Sequence, residues 1–360
     1  RQISIQQILH LLFIFSIINA VCITDLYASS YFGEVNEEDE FLAMWCADRM
    51  FENQSGLISA RNLIFPDVVG DIMFDYMFSN CTNLVKAPTL PATVFANERR
   101  DHEFCYNFMF TGCKKLKIAP ELPATSISKC CYQGMFSECD SLLVTPALPA
   151  TTVKESSYFN MFFGCDNLTT LSYVSASTLS YKSFMQTCVN CSKLVNTQGM
   201  LSAKELAEDC YQATFYGCSR LTKAPYLPAT TLAPSCYMAT FLGCSKLVEV
   251  QDVLPATNLE ENCYYCMFSD CTSLKVGPSL PALHLVKGCY GGIFQRCTNL
   301  EYVELDFETI ESGLEPYDVF ESWVMGVPSD CKFKYSAKLS DEIIKNTFMY
   351  YDDDNNLIFK

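Results

Sequence analysis

Residues 131–151 read CYQGMFSECDSLLVTPALPAT, and near copies of this stretch recur along most of the chain. Each copy spaces Phe, Cys and Leu three residues apart, and successive copies of the Cys lie 32, 26, 26, 26, 27, 26, 27 and 26 residues apart. A fixed period of this length is typical of solenoids, in which each repeat hides its apolar face against its neighbours. The copies are Phe78-Cys81-Leu84, Phe110-Cys113-Leu116, Phe136-Cys139-Leu142, Phe162-Cys165-Leu168, Cys191-Leu194, Phe215-Cys218-Leu221, Phe241-Cys244-Leu247, Phe268-Cys271-Leu274 and Phe294-Cys297-Leu300, with Met50 to Leu57 fitting one period earlier.

A second column of small or apolar residues lies eight residues before the first Cys column. The residue after each of its members is usually aromatic, which is the pattern of a packed interior. We therefore expect both columns to be structural core. The second column consists of Cys46, Met73, Cys105, Cys131, Ser157, Ser183, Cys210, Cys236, Cys263 and Cys289.

A Pro-x-Leu-Pro-Ala-Thr phrase follows the Leu in most copies, as at residues 88–93 and 146–151. Proline lacks an N–H for strand pairing, so the phrase limits the strand and forces a corner. The sequence predicts an α/β repeat solenoid with one short parallel strand per rung and about ten rungs of 26–27 residues. At the usual strand spacing of about 4.8 Å, ten rungs extend roughly 48 Å.

Two places depart from this rhythm. Residues 94–103 hold about six extra residues, which predicts a polar loop that bulges out of the stack. Residues 171–205 lose the Pro-x-Leu-Pro phrase, and Cys188 stands where other copies have Phe, so we expect a local irregularity there. The predicted organisation is an N-terminal cap at 25–45, a solenoid at 46–305 and a C-terminal cap at 306–360.

Composition narrows the classes of function. The 360 residues carry a net charge of −16, which argues against nucleic-acid binding because that needs a basic surface. Only three His are present, and no phosphate-binding loop, zinc-protease motif or serine-hydrolase elbow occurs. We therefore expect no catalytic residues, no cofactor and no metal site. Two Cys-x-x-Cys pairs, Cys188-Cys191 and Cys263-Cys266, resemble zinc or redox motifs. One Cys of each pair already belongs to a core column, so we interpret the spacing of the other Cys as a coincidence.

The first 24 residues form a separate segment. Residues 2–24 carry no charged side chain, Arg1 is basic, and an acidic run follows at 34–40. This pattern favours a secretory signal, and therefore export to the cell surface or the extracellular space. Cys22 directly after the apolar run offers a lipidation site as one alternative, while a membrane anchor or an apolar helix folded onto the solenoid is another. Membrane contact is expected only through this segment.

The repeats resemble BspA-like leucine-rich repeats. The resemblance lies in Met-Phe-x-x-Cys-x-x-Leu followed by Leu-Pro-Ala-Thr and covers residues 46 to about 305, with a closing segment at 322–327 that is similar to the family's. It implies a leucine-rich-repeat fold and a secreted or surface-exposed protein that binds host matrix proteins, other microbes or glycans. Fold analogy alone does not choose among these ligands.

The 21 Cys have two interpretations. Export favours a disulfide scaffold, and Cys residues one rung apart would fall within disulfide range. Against this, Ser and Met replace single members of the second column, which packing tolerates and pairing does not. Buried free Cys behaves as a small hydrophobe, and we favour reduced, buried thiols in both columns.

The surface for a ligand is expected on the two residues after each Leu, of which strand alternation should turn one outward. These pairs show no aromatic stripe or charge ladder, and loop tips such as 97–101 are equal candidates. The function we predict is non-catalytic adhesion or capture of a protein or glycan ligand, and the alternative is a structural subunit of a surface or phage assembly. The pairs are Val85-Lys86, Lys117-Ile118, Leu143-Val144, Thr169-Thr170, Val195-Asn196, Thr222-Lys223, Val248-Glu249, Lys275-Val276 and Glu301-Tyr302.

Overall fold

A computed structural model of the chain describes residues 47–63, 65, 67–69, 72–95, 103–197, 199–335, 349–351 and 357–359. The predicted leader with Cys22, the N-terminal cap, Cys46 and the extra loop around 97–101 lie outside the described residues. The strands are β1 (Val68–Val69), β2 (Val94–Phe95), β3 (Thr152–Val153), β4 (Thr178–Leu179), β5 (His284–Leu285), β6 (Tyr302–Leu305), β7 (Thr309–Ile310), β8 (Lys332–Tyr335), β9 (Met349–Tyr351) and β10 (Leu357–Phe359), and the helix is α1 (Pro316–Phe320).

Backbone pairing joins each repeat to the next one along the chain. Most of the bridged residues lie 26 or 27 positions apart and pair in parallel, as Val144 does with Thr170 and Thr170 with Asn196. Since every repeat pairs with the preceding and the following copy, each forms one rung of a stack. The chain is a repeat solenoid with short parallel strands, as its period predicts.

Each rung makes up to three short pairings where the sequence predicts one strand. One pairing follows the Leu, as at Val144; a second follows the first Pro, as at Leu148 with Val174; a third follows Leu-Pro-Ala-Thr, as in the β3–β4 pair. The prolines between these places have no N–H to donate, so no strand continues from one pairing to the next. The longest described pairing, β6 with β8, joins four residues of each strand.

The Cys-Tyr-x-x-Met-Phe segment is a series of overlapping turns. In the rung quoted above, Tyr132, Gly134 and Phe136 donate their N–H groups to carbonyls of the next rung at 3.1, 2.8 and 2.9 Å. Gln133 and Met135, which lie between them, donate to the carbonyl three residues earlier in their own rung. The backbone N–H groups of the segment are thereby hydrogen-bonded without either a helix or a regular strand.

The helical half of the predicted α/β class is wrong for these repeats. A left-handed residue recurs every fourth position, as at Cys130, Gly134 and Glu138 with φ of 54°, 57° and 56°, and such residues do not propagate an α-helix. At Gly134 a side chain is excluded as well, because a Cβ would lie 2.1 Å from the Phe108 ring. Among the described residues the only helix is α1, which lies after the last Phe-x-x-Cys-x-x-Leu copy.

The interior consists of side-chain columns that run along the stack. Phe110, Phe136 and Phe162 lie face to face with ring centroids 5.6 and 5.8 Å apart and planes within 3°. Tyr132 and Tyr158 stack in the same way at 6.0 Å. The predicted core residues are buried, namely Phe78, Cys81, Leu84, Phe110, Cys113, Leu116, Phe136, Cys139, Leu142, Cys165, Cys191, Cys218, Cys244, Cys271, Cys297, Cys105, Cys131, Cys210, Cys236, Cys263 and Cys289.

The thiols of the first column link the rungs. The Sγ of Cys139 donates to the carbonyl of Phe110 in the preceding rung at 3.2 Å, and that of Cys165 donates to Phe136 at 3.1 Å. The same bond recurs from Cys81 to Cys297. A thiol fits here because it is small and apolar and still offers a weak donor to a buried carbonyl.

The irregularity expected at 171–205 includes a backbone turn, in which the Met200 N–H donates to the Thr197 carbonyl and Gly199 has a φ of 78°, and a change in the aromatic columns. The rungs remain paired there, since Thr170 bridges Asn196 and Thr178 bridges Glu205. The phenyl stack is interrupted by Cys188, and the Phe184 ring is tilted by 39° from Tyr158. A local loss of ring area is thus accommodated without breaking the stack.

Residues 306–335, within the predicted C-terminal cap, form one more stacked layer. Phe294 and Arg296 donate N–H groups to the carbonyls of Trp323 and Met325, and β8 pairs with β6. Trp323 and Phe320 fill the ends of the interior columns. The exposed Lys332 and Lys334 lie on β8, where charged side chains discourage a further strand from pairing.

The tyrosine column predicts an unusual mutational result. The hydroxyl of Tyr237 is buried with no hydrogen-bond partner in the described part of the chain, and such a group costs stability. Tyr237→Phe is therefore expected to raise the free energy of unfolding by about 1 kcal/mol in urea titrations. Phe184 already occupies the same column, so the ring without the hydroxyl fits. Tyr216→Phe, at a partly exposed site, is the control and should change little; a loss of stability only in Tyr237→Phe would contradict the assignment.

Candidate binding face

One side of the stack carries most of the exposed apolar surface. We call it the ladder face and define it as the residues that follow the Leu of each Phe-x-x-Cys-x-x-Leu copy, up to the position that Leu-Pro occupies in most copies. The first pairing of each rung lies there. Eleven of the sixteen large hydrophobic residues that are exposed in the described chain belong to it. Exposed apolar surface concentrated on one side is typical of an interaction site. The eleven are Ile58, Val85, Ile118, Leu143, Val144, Tyr173, Val195, Tyr226, Val248, Val253 and Val276.

The expected alternation of side chains is absent from most rungs of this face, although β6 keeps it. Both members of most pairs after the Leu are exposed, for example Leu143 at 49% and Val144 at 46%. Alternation needs a strand of several residues, whereas in most rungs only one residue pairs here before the chain turns. The ladder face therefore displays about twice as many side chains per rung as a regular strand would.

Ion pairs between adjacent rungs interrupt the apolar surface towards its C-terminal end. Lys223 lies 2.9 Å from Glu249, Lys275 lies 2.7 Å from Glu301, and Lys334 contacts Glu304. These pairs are solvent-exposed and contribute little to stability. Their effect is to neutralise this part of the face in a chain whose net charge is −16.

The same end of the face contains a groove of about 540 Å³, within the range of small-ligand sites. Its lining includes Ala224, Val250 and Gly277, which hold the same position in three successive rungs. The Gly277 backbone lies close to the buried Phe294 ring, since a Cβ at this position would be 2.8 Å from the ring. Tyr226, 70% exposed, and the half-buried Tyr302 also line the groove.

The residues that line this groove were only partly expected from the sequence. Five members of the predicted pairs line it, which are Lys223, Val248, Glu249, Val276 and Tyr302. Tyr226, Gln251 and Asp252 were missed because they lie four or five residues after the Leu, beyond the pairs we considered. The available signal was an aromatic residue next to Pro225, at a corner that proline holds at the surface.

Burial makes several thiols of the two Cys columns weakly acidic. Burial raises the pKa of the thiols of Cys81, Cys236, Cys289 and Cys297 to about 12, so they stay protonated at neutral pH and are poor nucleophiles. Within the described residues, no group of three or more His, Cys, Asp or Glu is arranged to hold a metal ion. No helix in that part of the chain has both the length and the apolarity needed to span a bilayer.

Comparison with solved structures finds proteins that this chain resembles. The chain is similar to a leucine-rich repeat protein from Bacteroides ovatus ATCC 8483 at 18% sequence identity and a TM-score of 0.35, covering 80% of this chain and 86% of that chain. No protein-family model matches the sequence, and no curated protein matches it either.

Proposed function

We propose that this chain is an exported, non-catalytic protein of the leucine-rich-repeat class that captures a protein or glycan ligand at a cell surface. The observation that carries the proposal is the ladder face, because a core already buried in full does not require eleven further apolar side chains on one side of the stack. The BspA-like motifs and the apolar leader support the surface location.

Export is tested by protease treatment of intact source cells. The chain is expected to be degraded while cytoplasmic markers survive, because a surface protein is accessible without lysis. Detergent-lysed cells are the control for protease access. Full protection in intact cells, together with recovery in the cytoplasmic fraction, would contradict the proposed location.

Binding is tested with beads that carry the purified full-length chain, applied to immobilised extracellular-matrix extract and to epithelial cells. We expect attachment that falls at least several-fold in the triple variant Ile118→Ser, Leu143→Ser, Val144→Ser, which removes apolar surface without touching the core. The matched control is Tyr181→Ser, an exposed site outside the ladder face. Equal attachment of all three proteins would mean that the ladder face is not the binding surface.

A structural subunit is the second candidate, since an apolar face along the whole stack also suits a fixed neighbour. It predicts that the chain leaves cells in a stoichiometric complex under mild extraction. The triple variant would then dissociate from the complex during size-exclusion chromatography. Recovery of the extracted wild-type chain as a free protein would exclude this candidate.

A further inference from the structure

The groove at the C-terminal end of the ladder face differs from the rest of that face in shape and chemistry. It extends from the rung of Lys223 to that of Tyr302, which is three rung intervals or about 14 Å at the usual strand spacing. Its lining comes from four successive rungs, so an extended ligand of repeating units laid along the stack would meet one rung after another.

Its aromatic residues present ring surface to solvent. Tyr226 is 70% exposed, although an aromatic side chain of this size is usually buried or half-buried. Tyr302 is half-buried, and its hydroxyl lies 3.5 Å from a carboxylate oxygen of Glu304. Exposed ring faces beside hydroxyl and carboxylate groups suit a ligand that has both apolar C–H faces and hydroxyl groups.

The charges of the groove are largely compensated within the protein. Lys223 pairs with Glu249 across one rung interval, and Glu304 pairs with Lys334. Asp252 is the remaining charged lining residue, exposed and without an ion-pair partner in the described chain. The groove therefore offers several acceptors and an ammonium donor for hydroxyl groups, and little net field to attract a strongly charged ligand.

We infer that the groove binds a neutral oligosaccharide that lies along the stack, with a sugar ring against Tyr226 and hydroxyl groups donating to Asp252 and Glu249. The inference rests on the proposed capture function and names its ligand class. A basic peptide is the competing occupant, but it would find only Asp252 uncompensated.

The test is isothermal titration calorimetry of the purified full-length chain with neutral gluco-, galacto- and manno-hexasaccharides. At least one is expected to bind, and Tyr226→Ala should weaken it about ten-fold through loss of ring contact. Tyr226→Phe keeps the ring and should keep most of the affinity. Tyr173→Ala is the matched control, because Tyr173 is 72% exposed in the equivalent position two rungs away and does not line the groove.

The outcomes separate this inference from the proposed function. Binding that depends on Tyr226 and not on Tyr173 supports the inference. It is overturned if no hexasaccharide binds at millimolar concentration, if a lysine-rich peptide binds in place of the sugars, or if Tyr173→Ala weakens binding as much as Tyr226→Ala. If the calorimetry fails but bead attachment still depends on the ladder face, the capture function stands and its ligand belongs to another class.

Discussion

Phe136→Ala is expected to lower the free energy of unfolding by about 3–5 kcal/mol, a large part of the stability of an ordinary domain. The Phe136 ring is buried and stacks in parallel on Phe110 and Phe162, so its removal leaves a cavity in the middle of a column. Neighbouring rungs are held apart by their hydrogen bonds and cannot close onto this cavity.

The measurement is urea unfolding followed by circular dichroism and tyrosine fluorescence. A stack in which each rung contacts only its neighbours is weakest where one interface is lost, so we also expect the transition to broaden or to split into two steps. Ile118→Ala, at a 79% exposed site, is the control and should stay within about 0.5 kcal/mol of the parent. A similar small effect for Phe136→Ala would mean that the phenyl column is not a packed core.

Mild alkali is expected to unfold the protein between about pH 9 and 10. Burial holds the pKa of Cys81 and Cys297 at about 12, whereas an unfolded thiol ionises near 8.5. The contribution of each buried, protonated thiol to stability is complete below the pKa of the unfolded thiol. It declines as the pH rises towards the pKa of the folded thiol. In this pH range each such thiol lowers the free energy of unfolding by up to about 1.4 kcal/mol per pH unit.

The effect is large because many groups act together. Seventeen of the nineteen described cysteines are buried. The summed loss in free energy of unfolding from several of these thiols therefore exceeds the stability of an ordinary domain, which is about 5–15 kcal/mol. The experiment is a series of urea titrations from pH 7 to 10 under argon with reductant, with the same series on protein oxidised beforehand as the control. Stability that is flat to pH 9.5 in both series would contradict the presence of reduced buried thiols. Counting thiols with iodoacetamide in denaturant, with and without reductant, shows independently whether the cysteines are reduced or paired in disulfides.

The repeat arrangement is predictable from sequence because the same physical demand recurs in every rung. Phe136, Cys139 and Leu142 return at a fixed period, and only stacking buries them all at once. The path of the backbone between them is less predictable. Left-handed conformations at Cys130 and Glu138 are imposed by hydrogen bonds to the neighbouring rung, and no local propensity of these residue types indicates them.

The groove was predictable only in part, for a related reason. Its shape depends on the alignment of Ala224, Val250 and Gly277 from three rungs, each an unremarkable residue in its own repeat. Tyr226 and Asp252 occupy the same position in successive rungs, yet one is aromatic and the other acidic, so no pattern along the chain marks them as partners. Such a site becomes visible only when the rungs are placed side by side.

The pairing between rungs has an evolutionary consequence. Because each rung donates the same hydrogen bonds to whichever rung follows, recombination that inserts or deletes one unit of 26 residues leaves every remaining interface intact. Such events would lengthen or shorten the ladder face by about 4.8 Å at a time. The length of the stack can thus change by whole rungs without any new fold having to arise.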